Sequence, residues 1–228
     1  MLLVKWDKIP DNMKNDEVKH YYDIINKRKG QLLMKRLFDI LVSFVMLVII
    51  SPIFLVISIL IKLDSKGPVF FRQERVTQYG RKFRIFKFRT MVSNAEQLGS
   101  QVTVSGDSRV TRIGSKLRNT RIDEIPQLIN ILIGDMTFVG TRPEVTKYVQ
   151  EYTDEMRATL LMPAGVTSLA SIEFKDENKL LSESEDVDKI YIEKVLPQKM
   201  KYNLEYIENF NFAEDIALML KTVIAVIK

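Results

Sequence analysis

The residues best suited to chemistry stand in one run, Arg118-Asn119-Thr120-Arg121-Ile122-Asp123-Glu124-Ile125-Pro126, with Arg142 a further basic candidate downstream. Proline is tolerated in the first turn of a helix, where its missing N–H has no intrahelical partner. The spacing therefore predicts a helix that begins near Asp123, runs from about Glu124 to Ile133 and ends at Gly134. Both carboxylates would sit at the positive end of the helix dipole, and the dipole and the arginines would favour their ionised forms. An ionised Asp123 can ligate Mg²⁺ or attack phosphorus, and the same surroundings suit a bound diphosphate. Plain capping also fits: Asp followed by Glu is ordinary at a helix start, and Thr120-x-x-Asp123 matches a capping box.

Other chemistries have little to work with. The chain has no cysteine, and its one histidine, His20, lies far upstream of the carboxylates. Serine–histidine, cysteine–histidine and zinc sites are thereby disfavoured, and there is no disulfide framework. The net charge of +5 conceals a split: residues 1–61 carry +3, residues 62–121 carry +10 and residues 122–228 carry −8. Such a basic segment suits anionic lipid headgroups, nucleic acid or a phosphorylated small molecule.

The element that must bring this segment to its substrate is the uncharged apolar run from Ile40 to Ile61. At about 1.5 Å per residue it would reach across a hydrocarbon core of about 30 Å if straight. Ser51-Pro52 interrupts it. Pro52 has no N–H for the Val48 carbonyl, and the Ser51 hydroxyl can bond backward, which favours a bend. Lys27, Arg28, Lys29, Lys35 and Arg36 precede the run and Lys62, Lys66, Arg72 and Arg75 follow it, so basic flanks give no asymmetry to orient a single crossing. A helix–break–helix hairpin entering and leaving on one face satisfies both flanks. The alternatives are a plain transmembrane anchor and a buried core helix. A cleaved signal peptide does not fit, because the run is too long, starts too late and lacks a small-residue cleavage pattern.

Around this run the chain reads as three regions: a polar, partly helical extension over 1–34, a membrane hairpin over 35–63 and one globular domain over 64–228. Within the last, Val69 to Val76 and Phe83 to Arg89 read as strands joined by a loop at Gln78-Tyr79-Gly80. The alternation of Phe83 and Ile85 slips to Phe86 and Phe88, which means either a bulge or a strand buried on both faces. Basic and aromatic residues interleave here without any RNA-binding motif, so nucleic acid is not expected as a partner. Helical pieces are expected at Ile113 to Arg118, Glu144 to Leu161 and residues 185–209, the last kinked or divided by Pro197, with a turn at Pro163-Ala164-Gly165. From Phe212 to Lys228 an apolar stripe marks either an interfacial membrane helix or a face docked on the core. The fold class is α+β, mostly helical, with a short β-hairpin.

The order of motifs resembles a known family. Lys35-Arg36-Leu37-Phe38-Asp39 opens the broken apolar run, and Gly67-Pro68-Val69-Phe70-Phe71-Arg72-Gln73-Glu74-Arg75 and Phe86-Lys87-Phe88-Arg89-Thr90-Met91 follow. Asp107-Ser108-Arg109-Val110-Thr111-Arg112, Asp123-Glu124-Ile125-Pro126-Gln127-Leu128-Ile129-Asn130, Gly134-Asp135-Met136 and Arg142-Pro143 continue the series. Over about residues 34–228 this is similar to the bacterial initiating sugar transferases, the small monotopic phosphoglycosyl transferases. The resemblance implies transfer of a sugar 1-phosphate from a UDP-sugar to undecaprenyl phosphate, with Mg²⁺, on the cytoplasmic face of the bacterial inner membrane. It implies Asp123 as nucleophile and metal ligand, Glu124 as the residue that handles a proton or positions the lipid phosphate, and Arg118 and Arg142 as phosphate-holding groups. The partners it implies are the UDP-sugar, undecaprenyl phosphate and membrane lipids.

The chain also departs from that pattern. Thr141 stands where the family usually has proline before Arg142-Pro143, and Arg121-Ile122 replaces the usual small residue plus leucine. Lys175 occupies the place of a frequent substrate-binding arginine, and lysine cannot reproduce a bidentate contact, which leaves the sugar open. Two rival functions remain at this level: a membrane-surface scaffold that binds anionic lipid, and a Mg²⁺-dependent nucleotide-sugar hydrolase.

Overall fold

The computed structural model describes residues 2–93, 95, 107–173 and 187–227. The first helix, α1 (Asp16–Lys27), begins where the Asn15 side chain accepts the Val18 N–H at 2.7 Å. Val18, Tyr21, Tyr22 and Ile25 recur at helical spacing and are buried in one apolar cluster with Leu161, Leu204 and Ile207. The region expected to be a polar extension therefore forms part of the main core. Its aromatic and aliphatic residues, sparse in composition, fall on one face once the helix forms.

Helix α2 spans Lys29–Asp64, so it starts before the expected hairpin and runs continuously through Pro52. The expected pair of helices separated at Ser51-Pro52 is thus a single helix. The carbonyl that Pro52 leaves without a donor, that of Val48, accepts the Ser51 hydroxyl at 2.8 Å, which lowers the cost of keeping the proline inside. Much of the helix is bare: Leu41, Ile49, Leu55 and Leu63 are 64, 69, 64 and 79% exposed. It is long and apolar enough to cross a membrane by length and composition.

Strands β1 (Phe70–Val76) and β2 (Lys82–Phe88) pair antiparallel in unbroken register, from Phe70 opposite Phe88 to Val76 opposite Lys82. There is no bulge. The second sequence alternative holds: Phe83 and Ile85 bury with Leu128 and Ile131, while Phe88, on the opposite face, buries with Ile57, Ile61 and Leu117. The connecting turn places Tyr79 at φ 59° and Gly80 at φ 74°. Tyr79 is held in this left-handed conformation partly through its hydroxyl, which accepts the Val4 N–H at 3.0 Å.

Helix α3 (Arg112–Asn119) follows, capped by Thr111, whose hydroxyl accepts the Gly114 N–H at 3.0 Å. Gly114 is a contact residue. A Cβ there would lie 2.1 Å from the Thr90 carbonyl oxygen, so only glycine lets α3 lie against the end of the hairpin. Helix α4 (Gln127–Ile133) ends at Gly134 in the left-handed conformation, φ 93°, as expected of a glycine past a helix end.

A second sheet was not legible in the sequence. Strand β3 (Met136–Val139) pairs in parallel with β4 (Ala164–Thr167), which falls where a turn was expected. Strands of four residues show too little alternation to be read from pattern. Gly140 and Gly165 let the two backbones meet, since a Cβ on Gly165 would lie 2.2 Å from the Gly140 nitrogen. The helix expected over Glu144 to Leu161 is divided into α5 (Thr146–Gln150) and a 3-10 segment, Met156–Leu161.

After α6 (Leu169–Glu173) come α7 (Val187–Ile190), a π-helical turn at Tyr191–Val195 and α8 (Leu196–Glu208). Pro197 sits in the first turn of α8, where it is tolerated. The last helix, α9 (Phe212–Ile227), is docked on the body at its start and bare further along. Asp215 near its start is buried, whereas Leu220, Val223 and Ile224 remain more than half exposed. Among the described residues the fold is mostly helical α+β, with one long apolar helix and two small sheets.

Candidate active site

Thr120 ends α3 by donating its hydroxyl to the Lys116 and Leu117 carbonyls at 3.0 and 3.2 Å, so it is not the capping-box residue of α4. Arg121 then takes the left-handed conformation, φ 57°, and the chain turns into a 3-10 segment, Ile122–Glu124. The carboxylates occupy that segment, ahead of Pro126 and α4, rather than the α4 N-terminus. Pro126 forces this arrangement from one side and the close of α3 from the other.

The two carboxylates meet opposite surroundings. Glu124 accepts Lys87 Nζ at 2.8 Å and Arg142 Nη2 at 2.6 Å, both through Oε1. Burial works to raise its pKa, but Arg142 and Lys87 outweigh burial and hold the carboxyl far below the usual carboxylate range. Asp123 is buried at 7% exposure and accepts no hydrogen bond among the described residues. Burial raises its pKa; nearby Lys87 opposes that rise, and the negative charge of Glu124 adds to it. The expectation that both groups are driven toward ionisation holds for Glu124 alone. A carboxylate largely withdrawn from water, with no donor among the described residues, is the more basic of the pair, and so the better nucleophile.

Lys87, quoted within a motif but given no role from sequence, is central. It shares strand parity with Phe83 and Ile85, so its side chain leaves β2 on the face that α4 covers. Asn130 of α4 fixes that packing by accepting the Phe86 N–H at 2.8 Å and donating to the Arg84 carbonyl at 3.1 Å. Burial pushes the Lys87 ammonium below its ordinary value, against the pull of Glu124. The parity of Lys87 with two buried residues was the signal that could have singled it out.

Arg118 projects from α3 and donates through Nε to the Thr90 hydroxyl at 3.0 Å, and Asp123 lies near enough to act on its charge. Arg142 is carried on the segment after β3, which is tied on every side. Pro143 O accepts Arg75 Nη1 at 3.2 Å, Glu144 O accepts the Val76 N–H at 3.0 Å, and Gly165 donates to Thr141 O at 2.8 Å. The buried Glu144 carboxylate accepts the Tyr191 hydroxyl at 2.5 Å and Lys199 Nζ at 3.2 Å. The π-helical turn is what aims Tyr191 at this carboxylate from the C-terminal helices. The structure thus gathers Asp123, Glu124 and Arg142 around Lys87, with Arg118 near Asp123, while Lys175 lies outside the described residues.

Both ends of α2 are fastened to the same body as the site. Arg89 donates to the Ser65 and Lys66 carbonyls at 2.7 and 2.9 Å beyond the helix end, and Asp64 accepts the Ile113 N–H at 2.9 Å. Near the start, Arg36 donates to the Ile131 and Leu132 carbonyls at 2.7 and 2.9 Å, satisfying the end of α4.

A family model described as bacterial sugar transferase matches residues 30–228. The chain belongs to the bacterial sugar transferase family. It is 37% identical over 193 residues to a UDP-N-acetylgalactosamine-undecaprenyl-phosphate N-acetylgalactosaminephosphotransferase of Aeromonas hydrophila, covering 83% of this chain and 43% of that protein. It is 36% identical over 196 residues to a UDP-glucose:undecaprenyl-phosphate glucose-1-phosphate transferase of Klebsiella pneumoniae, covering 84% of this chain and 40% of the relative. A protein of the same name from Caulobacter vibrioides is 34% identical, over 84% of this chain and 68% of that one. The chain therefore spans about two fifths of the length of the first two relatives.

Proposed function

We propose that this chain transfers a sugar 1-phosphate from a UDP-sugar to undecaprenyl phosphate and releases UMP, as the first membrane step of bacterial glycan assembly. The observation that carries this reading is the asymmetry of the adjacent carboxylates: Asp123 is buried and has no donor among the described residues, while Glu124 is clamped by Lys87 and Arg142. In the first step an Asp123 oxygen attacks the sugar-proximal phosphorus. The bond from that phosphorus to the bridging oxygen breaks, and UMP leaves with the electron pair. In the second step an oxygen of undecaprenyl phosphate attacks the same phosphorus, and the bond to Asp123 breaks, restoring the carboxylate and giving the lipid diphosphate sugar. A covalent intermediate lets one site serve a soluble and a membrane-borne substrate in turn.

Glu124, held ionised, acts here as the anchor that aligns Lys87 and Arg142, and not as a carrier of protons. Arg118 and Arg142 supply planar forks for phosphate oxygens as charge shifts between them. Among the described residues no cluster of three metal-ligating side chains exists. Asp123 and the second Glu124 oxygen do fit Mg²⁺ bound in its common manner, by one or two carboxylates with the rest of the shell from substrate phosphate and water. Bound there, the ion would neutralise diphosphate charge and orient the leaving group.

The membrane arrangement follows from the anchoring of α2. Its start and its end both hold the globular body, and Leu47 and Ile50 in its middle pack against Phe83, Ile85 and Leu128. A straight crossing would pull one end away from that body or draw the body into the bilayer. These contacts support a re-entrant α2 held within one leaflet, with the active domain on the cytoplasmic face and the bare apolar face of α9 beside it. Single cysteines at residues 30 and 66 are expected to label from the same side of the membrane, and labelling from opposite sides would overturn this arrangement.

The transfer itself is tested by UMP release from a panel of UDP-sugars, with and without undecaprenyl phosphate. Sustained release is expected only with the lipid acceptor. Sustained turnover without it would instead establish a hydrolase, and liposome binding with no turnover of any donor would leave a scaffold.

A further inference from the structure

Lys35 and Asp39 open the membrane helix with charge, yet neither faces the bilayer: they are 4 and 1% exposed. Both reach β3. Asp39 accepts the Thr137 hydroxyl at 2.7 Å and the Phe138 N–H at 3.3 Å, and Lys35 donates to the Val139 carbonyl at 2.8 Å. Lys35 also pairs with Asp215 of α9 at 2.5 Å, and Tyr206 donates to the other oxygen of Asp215 at 2.9 Å. Phe38, between them in sequence, packs edge-on against Phe138 and Phe212, with ring centroids 6.1 and 5.6 Å apart. Three consecutive residues of β3 are thus gripped by one face of α2.

Three residues beyond Val139 is Arg142, and the path between them has no slack. Gly140 donates to the Thr167 carbonyl at 2.9 Å, Thr141 accepts from Gly165, and the two residues after Arg142 are bonded to β1. A shift of α2 relative to the body therefore moves β3, and β3 delivers Arg142 to Glu124. Burying a lysine and two aspartates carries a desolvation penalty that their mutual attraction must offset, and apolar residues would hold a helix without it. What the polar contacts add is register: each fixes a particular backbone or side-chain atom of β3 at hydrogen-bond distance.

We propose that Lys35 and Asp39 are positioning residues that register the membrane helix with Arg142, so that the seating of α2 in the bilayer and the alignment of the phosphate-binding guanidinium are one event. This deepens the proposed function and rests on its assignment of Arg142 to a phosphate. The test measures UMP release in phospholipid nanodiscs containing undecaprenyl phosphate, with UDP-glucose and UDP-N-acetylgalactosamine first among the donors, for Asp39→Asn, Arg142→Lys and the double variant. Asp39→Asn is expected to lower kcat about tenfold or more, with KM for the donor changed less than about threefold. In the Arg142→Lys background the same change is expected to cost less than about twofold, because residues acting through one group are not additive.

A role in folding alone gives a different result, the same factor in both backgrounds, and that outcome overturns the proposal, as does an unchanged kcat in Asp39→Asn. If Asp39→Asn does not accumulate, Thr137→Val removes one of the hydrogen bonds, keeps the buried charges and carries the same comparison. If Arg142→Lys alone leaves kcat and KM at wild-type values, the phosphate assignment of Arg142 falls first, a failure distinct from additivity in the cycle.

Discussion

Asp123→Asn protein in membranes is expected to release UMP at least about a thousandfold more slowly than wild type, with no phosphosugar adduct found on it by intact-mass measurement. The substitution keeps the size of the side chain and removes the one group that can bond to phosphorus. Because Asp123 is buried and accepts no hydrogen bond among the described residues, the amide leaves the surrounding network untouched, and folding stability should change little. Glu124 cannot take over. Its oxygen Oε1 is committed to both Lys87 and Arg142, and a carboxylate held so far below the ordinary pKa range is a weak base and a weak nucleophile. An Asp123→Asn enzyme that still released UMP at the wild-type rate would remove the covalent mechanism altogether.

Lys87→Met has the second-largest expected effect and separates into two parts. Deleting the ammonium leaves Glu124 with Arg142 alone, in a site where the glutamate side chain is 13% exposed. Loss of one charged hydrogen bond of this kind costs about 1–3 kcal/mol of stability, read as a lower unfolding midpoint. Activity is expected to fall further, by about a hundredfold or more, because a positive charge that acts on both carboxylates goes with it. The double variant Lys87→Met/Glu124→Gln is expected to regain stability, since no carboxylate is left short of a partner, and to remain inactive. If Lys87→Met formed the Asp123 adduct at the normal rate, Lys87 would be structural only.

The elements legible from sequence were those whose signal is local. Pro126 and Gly134 bracket α4, Gly80 closes the hairpin, and the apolar run is long enough to dominate any reading of its region. Elements whose stability comes from distant partners were not legible. The β3–β4 pair joins residues 136–139 to 164–167 through strands too short to alternate, and α1 reads as polar until Leu161, Leu204 and Ile207 bury its inner face. The continuity of α2 through Pro52 is a further case. Backbone chemistry alone favours interruption there, and the helix persists with the Ser51 hydroxyl on the orphaned carbonyl and its flanks packed on the body.

At the site the division is similar. Adjacency on the chain is enough to bring Asp123 and Glu124 together, and the basic excess of residues 62–121 is enough to set them in a positive field. Composition cannot say which carboxylate is clamped. That follows from the parity of β2, which sends Lys87 toward α4, and from the grip of α2 and β1 on the segment that carries Arg142. By itself the sequence determined the residues available for chemistry, their order and their attachment to an apolar helix, because these are properties of a chain. Only the tertiary structure decided that Asp123 has no hydrogen-bond donor among the described residues while Glu124 is ion-paired, because desolvation and ion pairing depend on groups tens of residues away that meet when the chain folds.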